Sequence, residues 1–170
     1  SKELEEDLES LDRLPDGVVL AQAQSAQEVL ALGEMLLGVE GRAGAALGSL
    51  PVVPNVESAE GLRNAYEIAA ASARVSEVGL GGGDMLRDLG GLRTPEGGEL
   101  FHVRARLAVE VRAAGAQLMD TVTPISASDE YLGRDTREAF KLGYKGRAVL
   151  TARHIEPIRR IWAELTITGR

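Results

Sequence analysis

Short, largely apolar runs alternate with amphipathic segments along the whole chain. Continuous apolar runs of strand length are typical of strands that are buried on both faces of a parallel sheet. The segments between the runs carry apolar residues at the three- and four-residue spacing of a helix. The pattern predicts strands at 17–21, 51–57, 75–80, 117–122 and 146–150, and helices at about 2–13, 25–38, 59–73, 98–114, 135–142 and 154–165.

The helix after the first predicted strand has a clear start signal. Ser25 and Glu28 have the spacing of a capping box, in which each side chain accepts a hydrogen bond from the other residue's backbone. Val29, Leu32 and Leu36 then follow at helical spacing on one face. The sequence therefore predicts a helix that begins just after Ser25 and packs this face on a sheet.

The alternation of strands and helices predicts the fold class. No turn signal of a β-hairpin separates the strands, so parallel strands joined by helices are expected. The chain, 1–170, is interpreted as a single α/β domain of the (β/α)₈ TIM-barrel type with about five βα units, that is, a partial barrel. Because five strands cannot close an eight-stranded barrel, we expect further N-terminal strands or a homo-oligomer that covers the open edges.

Composition excludes several classes of function. The net charge is −7 and aromatic residues make up 4%, which disfavours a nucleic-acid partner because phosphate binding needs clustered cations. The chain has no cysteine, so thiolate zinc sites and a cysteine nucleophile are excluded. No apolar run approaches the roughly 20 residues of a membrane-spanning helix, and no membrane partner is expected. A cytoplasmic location is the expectation.

Three acidic residues lie at or just after predicted strand ends. Glu57 ends the second strand, Asp84 follows the third, and Asp120 lies late in the fourth. The carboxyl ends of parallel strands meet at one edge of a sheet, and adjacent strands are about 5 Å apart. Two carboxylates that converge there favour a bound cation, and oxygen ligands suit Mg²⁺. Glu57 and Asp84 are therefore candidate metal ligands; the alternative is a pair of solvated loop acids.

The run of glycines before Asp84 is the second candidate feature. Gly81, Gly82 and Gly83 have no Cβ, so we expect their backbone N–H groups to be accessible to a substrate carboxylate or carbonyl oxygen. This makes them candidate substrate-binding residues. The alternative is a flexible surface loop.

The remaining polar candidates have weaker support. We expect surface or capping roles for His102 and His154, and a solvated helix face for Arg104 together with its neighbouring arginines. Arg153, just past the last predicted strand, is a candidate for binding an anionic substrate. No catalytic acid, base or nucleophile can be assigned from the pattern.

Two segments resemble a known family. Residues 55–69, NVESAEGLRNAYEIA, resemble the "IETAxGxxNAxEIA" segment of the HpcH/HpaI aldolase and citrate lyase beta-subunit family. Residues 74–90, RVSEVGLGGGDMLRDLG, are similar to that family's "RVxxLxFGAEDLxxDLG". Shorter matches follow in the family's order and spacing at 16–20, 104–106, 113–115, 120–122, 138–139 and 142–146.

The resemblance implies a barrel enzyme that makes or breaks a carbon–carbon bond next to a carbonyl, with Mg²⁺ held by Glu57 and Asp84. The implied substrate is a small-molecule 2-oxo acid or an acyl-coenzyme A thioester, cleaved by a retro-aldol or retro-Claisen reaction. The family's usual lysine is replaced here by Gln22, and its usual acid before Asp84 is replaced by Gly83. Two alternatives therefore stay open: a catalytically degenerate or partial barrel that serves as a structural or interaction subunit, and a 2-keto-3-hydroxy acid aldolase without coenzyme A.

Overall fold

A computed structural model describes Leu8 and residues 14–168, with the side chains through residue 167. The helix predicted at 2–13 lies outside the described residues, except for Leu8, which is helical and buried. The elements in chain order are β1 (Val18–Leu20), α1 (Ala26–Arg42), β2 (Val52–Val56), α2 (Ala59–Arg63), α3 (Ala65–Ala70), β3 (Glu77–Leu80), α4 (Gly82–Asp88), α5 (Phe101–Ala113), β4 (Gln117–Asp120), α6 (Asp129–Lys141), β5 (Gly146–Arg147) and α7 (Ile155–Thr168), with a 3₁₀ helix at Ala152–His154.

The five strands form one parallel sheet in the order β1-β2-β3-β4-β5. Each strand therefore pairs with its neighbours in sequence, as in the wall of a (β/α)₈ barrel. The register places Val18 opposite Val52 and Val56 opposite Leu80, so the carboxyl ends of the strands lie at one edge. The predicted fold class, an α/β partial barrel, is confirmed, although all five strands are shorter than predicted.

The helices pack on the sheet through the faces that the sequence predicts. Ser25 caps α1 in a capping box, in which the Ser25 hydroxyl accepts the Glu28 N–H and the Glu28 carboxylate accepts the Ser25 N–H. Val29 and Leu36 of this helix are completely buried. Because apolar side chains of the strands and helices form one continuous cluster, the core lies between the sheet and the helical layer.

The starts of α4 and α6 differ from the prediction. The glycine segment, in which no helix was predicted, begins α4, since Gly82 and Gly83 are its first residues. The fourth unit's helix begins at Asp129 rather than near 135, because the Ser128 hydroxyl accepts the Tyr131 N–H and caps it. Among the described residues, no helix combines the length and the apolar character that a membrane span requires.

A buried ion pair holds the loop between α1 and β2. Glu40, completely buried, accepts hydrogen bonds from the guanidinium of Arg74 at 2.6 and 2.9 Å. The same carboxylate accepts the backbone N–H groups of Gly48 and Leu50, both at 2.7 Å. These donors, the Arg74 guanidinium first, lower the pKa of Glu40 to about 2. Glu40 is therefore ionised at neutral pH and fixes the approach of the chain to β2.

Candidate functional site

Glu57 and Asp84 lie next to each other at the carboxyl ends of adjacent strands. Glu57 directly follows β2 and is 8% exposed, and Asp84 is the third residue of α4, just after β3. Burial raises the pKa of the Glu57 carboxyl, and the neighbouring Asp84 carboxyl raises it further. The hydrogen bond from Asn55 acts in the opposite direction. Two carboxyls that disturb each other in this way would be stabilised by a cation between them.

Two donors orient the Glu57 carboxyl. The side-chain amide of Asn55 donates from Nδ2 to Glu57 Oε1 at 2.6 Å, and the backbone N–H of Gln22 also donates to the carboxyl. Gln22 lies just after β1 and has a φ of 52°, the only positive φ of a non-glycine residue in the described part of the chain. Such left-handed backbone is uncommon outside glycine and clusters at functional sites. The carboxyl is therefore held from its own strand by Asn55 and from the segment after β1 by Gln22.

Gly81 leaves room for the Glu57 side chain. A Cβ on Gly81 would lie 2.4 Å from Glu57 Cγ and 2.6 Å from Cδ, far closer than atoms can approach. Gly83 differs, because a Cβ there would meet nothing within 4 Å. The first glycine of the run is thus required by the packing of Glu57, whereas the third points into open space.

The accessibility predicted for the glycine N–H groups is wrong for two of the three. The Gly81 N–H donates to the carbonyl of Val56 at 3.0 Å, and the Gly82 N–H donates to Thr121 Oγ1 at 2.9 Å. These bonds fasten the start of α4 to the ends of β2 and β4. A substrate-binding role for the three glycines stays a prediction, and the structure adds a packing role for Gly81.

The residues present fit an oxygen-coordinated metal. Glu57 and Asp84 supply carboxylate oxygens, the ligand type that Mg²⁺ prefers, and Mg²⁺ commonly uses one or two protein carboxylates and fills the rest with water or substrate. Within residues 14–168, no group of three or more His, Cys, Asp or Glu side chains gathers as a metal cluster. Asp84 is half-exposed and forms an ion pair with the exposed Arg87, so its carboxylate is reachable from solvent.

Asp120 belongs to a buried ionic network rather than to the carboxyl pair. Its carboxylate binds Arg104 at 2.9 Å and Arg147 at 3.1 Å, and both arginines also bind Asp135 at 2.7 Å. Arg104 is 1% exposed, so the solvated face predicted for it is wrong. The members of this network other than Arg104 lie on β4, β5 and α6, so the periodicity of the Arg104 helix alone cannot predict them.

The other predicted candidates also occupy structural positions. His154 is 2% exposed, which corrects the surface or capping role expected for it; its Nδ1 atom has no hydrogen-bond partner among the described residues, and burial lowers its pKa. Arg153 donates to the backbone carbonyls of Ile125 and Ala127. It therefore braces a loop instead of standing free for an anion. His102 is exposed on α5, as expected.

Sequence reasoning missed two residues that contact the site: Asn55, which donates to Glu57, and Thr121, which accepts from Gly82. Asn55 precedes Glu57 by two residues, so the period-two alternation of a strand would have placed both on one face. Thr121 directly follows Asp120 and gave no comparable signal, since its bond to Gly82 crosses between separate βα units.

The fold and site define a parallel α/β protein of the (β/α)₈ type with paired carboxyls at the carboxyl ends of adjacent strands. The family model described as HpcH/HpaI aldolase/citrate lyase matches residues 1–152. The chain therefore belongs to the HpcH/HpaI aldolase/citrate lyase family, which confirms the resemblance.

Individual relatives agree with this assignment. The chain is 33% identical to citrate lyase subunit beta of Haemophilus influenzae over 92% of its own length and 54% of the relative's. It thus spans about half the length of the curated relatives it matches. Among solved structures, RipC from Yersinia pestis shares the fold with a TM-score of 0.82 at 24% identity, over 96% of this chain and 73% of that one. The citrate lyase beta subunit from M. tuberculosis, complexed with oxaloacetate and magnesium, has a TM-score of 0.70 at 26% identity, over 86% and 61%.

Proposed function

We propose that this chain carries the metal site of a Mg²⁺-dependent carbon–carbon lyase that acts on a 2-oxo acid or acyl-coenzyme A type substrate. The observation that carries the proposal is the juxtaposition of the Glu57 and Asp84 carboxyls, one buried and one reachable from solvent, at the carboxyl ends of β2 and β3. The magnesium and oxaloacetate in the related M. tuberculosis structure support this choice of metal and substrate class.

The two carboxylates would hold the ion from one side. Bound Mg²⁺ supplies a Lewis acid that polarises a keto oxygen and stabilises the negative charge that develops there when a carbon–carbon bond is cleaved. Glu57, held by Asn55 and by the Gln22 backbone, is the fixed ligand of the pair. Asp84 would be the ligand closer to solvent.

The start of α4 would form the substrate side of the site. Gly81, Gly82 and Gly83 directly precede Asp84, and the absence of a Cβ at Gly83 leaves open space beside the carboxylate. The described residues supply no assigned general base, so the proton-transfer group stays unassigned.

A second candidate function is a barrel wall that assembles with another polypeptide or with a second copy. It is favoured by β1, an edge strand of the described sheet whose central residue Val19 is 65% exposed. Exposed apolar surface on an edge strand is typical of a surface that is covered in the working assembly. A homo-oligomer would satisfy both this candidate and the lyase.

A cleavage assay separates these functions. The protein would be given a citryl- or malyl-type coenzyme A thioester and, separately, a free 2-keto-3-hydroxy acid, each with Mg²⁺ or with EDTA. The lyase proposal expects thioester cleavage that EDTA and Asp84→Asn abolish. Cleavage of the free acid alone would identify an aldolase that does not use coenzyme A. No turnover of either substrate would favour the assembly role.

A further inference from the structure

We infer that Asn55 is a positioning residue that restricts Glu57 to one metal-facing oxygen and thereby sets the preference of the site for Mg²⁺ over Ca²⁺. This inference rests on the proposed metal site at Glu57 and Asp84. It assigns a role to a residue that does not itself contact the ion.

The contact between Asn55 and Glu57 is direct. Asn55 lies in β2 and Glu57 directly follows it, two residues along, so both side chains lie on the same face. The Nδ2–Oε1 distance is 2.6 Å, so the amide donates directly to this oxygen. The Asn55 amide therefore holds Oε1 from within the sheet.

The neighbouring strand has a gap that fits this amide. Asn55 pairs with Gly79 of β3, and a Cβ on Gly79 would lie 2.1 Å from Asn55 Oδ1 and 3.2 Å from Cγ. Any larger residue at position 79 would displace the Asn55 side chain. Gly79 thus leaves the space that the Asn55 side chain occupies, and Asn55 donates the hydrogen bond to Glu57.

The consequence for the carboxyl is a fixed orientation. Asn55 engages Oε1, the Gln22 backbone N–H donates to the same carboxyl, and Glu57 Cγ packs directly against Gly81. A carboxylate whose Oε1 is engaged by Asn55 would offer a cation the other oxygen, Oε2, rather than both oxygens.

This restriction discriminates between the two ions. Mg²⁺ demands near-ideal octahedral geometry at about 2.0–2.1 Å and accepts single carboxylate oxygens, whereas Ca²⁺ binds at about 2.3–2.6 Å and readily takes a carboxylate through both oxygens. A Glu57 that is free to rotate would gain a chelating mode that serves Ca²⁺ alone. Loss of Asn55 should therefore weaken Mg²⁺ binding more than Ca²⁺ binding.

The test is calorimetric titration of MgCl₂ and of CaCl₂, each alone, into wild type, Asn55→Ala, Gly79→Ala and the double variant. Partners behind a metal ligand typically contribute 10- to 100-fold in affinity, so we expect about a tenfold or greater rise in the Mg²⁺ Kd for Asn55→Ala. The Ca²⁺ Kd should rise less, so that the Mg²⁺/Ca²⁺ preference falls at least about threefold. Gly79→Ala should reproduce this shift, because it displaces the same amide.

The double variant separates a specific role from general damage. Once Asn55 is truncated, a Cβ at position 79 no longer meets the amide, so Gly79→Ala should add nothing to Asn55→Ala. Gly41→Ala, exposed on α1 and with a Cβ that meets nothing within 4 Å, is the control that should leave both metal affinities unchanged. Thermal unfolding of each metal-free variant checks that the fold persists.

The outcomes distinguish this inference from the proposed function. If wild type binds Mg²⁺ and Glu57→Gln abolishes the binding, but Asn55→Ala weakens both ions equally, the positioning role is refuted and the metal site stands. Additive losses in the double variant would also refute it. If wild type does not bind Mg²⁺, the proposed site fails, and this inference fails with it.

Discussion

Gly81→Ala should remove most of the Mg²⁺ affinity without unfolding the protein. The new Cβ would lie 2.4 Å from Glu57 Cγ, whereas ordinary contacts begin at 3.4 Å, so Cγ must move by about 1 Å. Metal ligands are held to within about 0.2 Å of their required distances. Glu57 would therefore leave the ion, and half of the protein's carboxylate ligands would be lost.

The magnitude follows from that displacement. Losing a metal ligand should raise the Mg²⁺ Kd at least as much as losing a residue that hydrogen-bonds to the ligand, that is, about 10- to 100-fold. This corresponds to roughly 1.4–2.8 kcal/mol of binding free energy. Because Gly81 has a φ of −94°, outside the left-handed region, alanine is compatible with the backbone at this position. We therefore expect a change in unfolding free energy that is small beside the loss of metal affinity.

The assay is Mg²⁺ calorimetry together with urea unfolding, with Gly83→Ala as the matched control. Gly83 lies inside α4, where alanine is favoured over glycine by about 0.5–1 kcal/mol, so the control should be as stable as wild type or slightly more stable. Its Mg²⁺ affinity should be unchanged. Equal affinities in Gly81→Ala and Gly83→Ala would refute the argument that Gly81 makes room for a metal-bound Glu57.

The remaining predictions concern the elements that support the site. Glu40→Gln should lower the free energy of unfolding by about 3 kcal/mol at neutral pH, because it breaks a buried ion pair; Glu34→Gln, exposed on the same helix, should change it by less than about 0.5 kcal/mol. Arg74 lowers the Glu40 pKa to about 2, below its usual 4.5, so this stabilisation should be complete above pH 4.5 and disappear as the pH falls toward 2. Urea unfolding at several pH values measures it, and a difference in unfolding free energy between wild type and Glu40→Gln that does not shrink at low pH would contradict it. Thr121→Val should weaken Mg²⁺ binding in calorimetry about tenfold, because the Gly82 N–H loses its acceptor at the start of the helix that carries Asp84. Thr121→Ser keeps the hydroxyl and should bind Mg²⁺ like wild type. If Thr121→Ser binds as weakly as Thr121→Val, the loss is due to packing and not to the hydrogen bond.

The carboxyl pair could be predicted from the sequence because one general rule places it. Parallel strands joined by helices present their carboxyl ends at one edge, so acids that follow consecutive strands must meet there. Glu57 and Asp84 needed only that rule and the order of the strands. The same periodicity identified the five strands and the packing faces of the long helices.

The surroundings of the pair could not be predicted, because they depend on contacts between separate units. Gly81 was interpreted as backbone exposed to substrate, but its neighbour is the Glu57 side chain from the adjacent strand. Arg104 lies on a helix with other arginines, and its burial is compensated by Asp120 and Asp135 from two other elements. A single-sequence pattern records periodicity along one element and contains no information about such partners.

The glycine-rich segment differs from the prediction for another reason. Glycine is unfavourable inside helices, so a run of three predicts a loop. The structure nevertheless begins α4 there, and packing explains the glycine at position 82: a Cβ would lie 2.6 Å from Leu100 Cδ1 and 2.9 Å from Thr121 Cγ2. Tertiary packing overrides propensity at the position where the chain approaches the candidate metal site.

The most direct test of the central claim is calorimetric titration of Mg²⁺ into wild type and Asp84→Ala, with and without oxaloacetate. The account predicts that wild type binds Mg²⁺, that oxaloacetate strengthens this binding, and that Asp84→Ala abolishes both effects. Failure of wild type to bind Mg²⁺, or equal binding by Asp84→Ala, would contradict a metal site at Glu57 and Asp84.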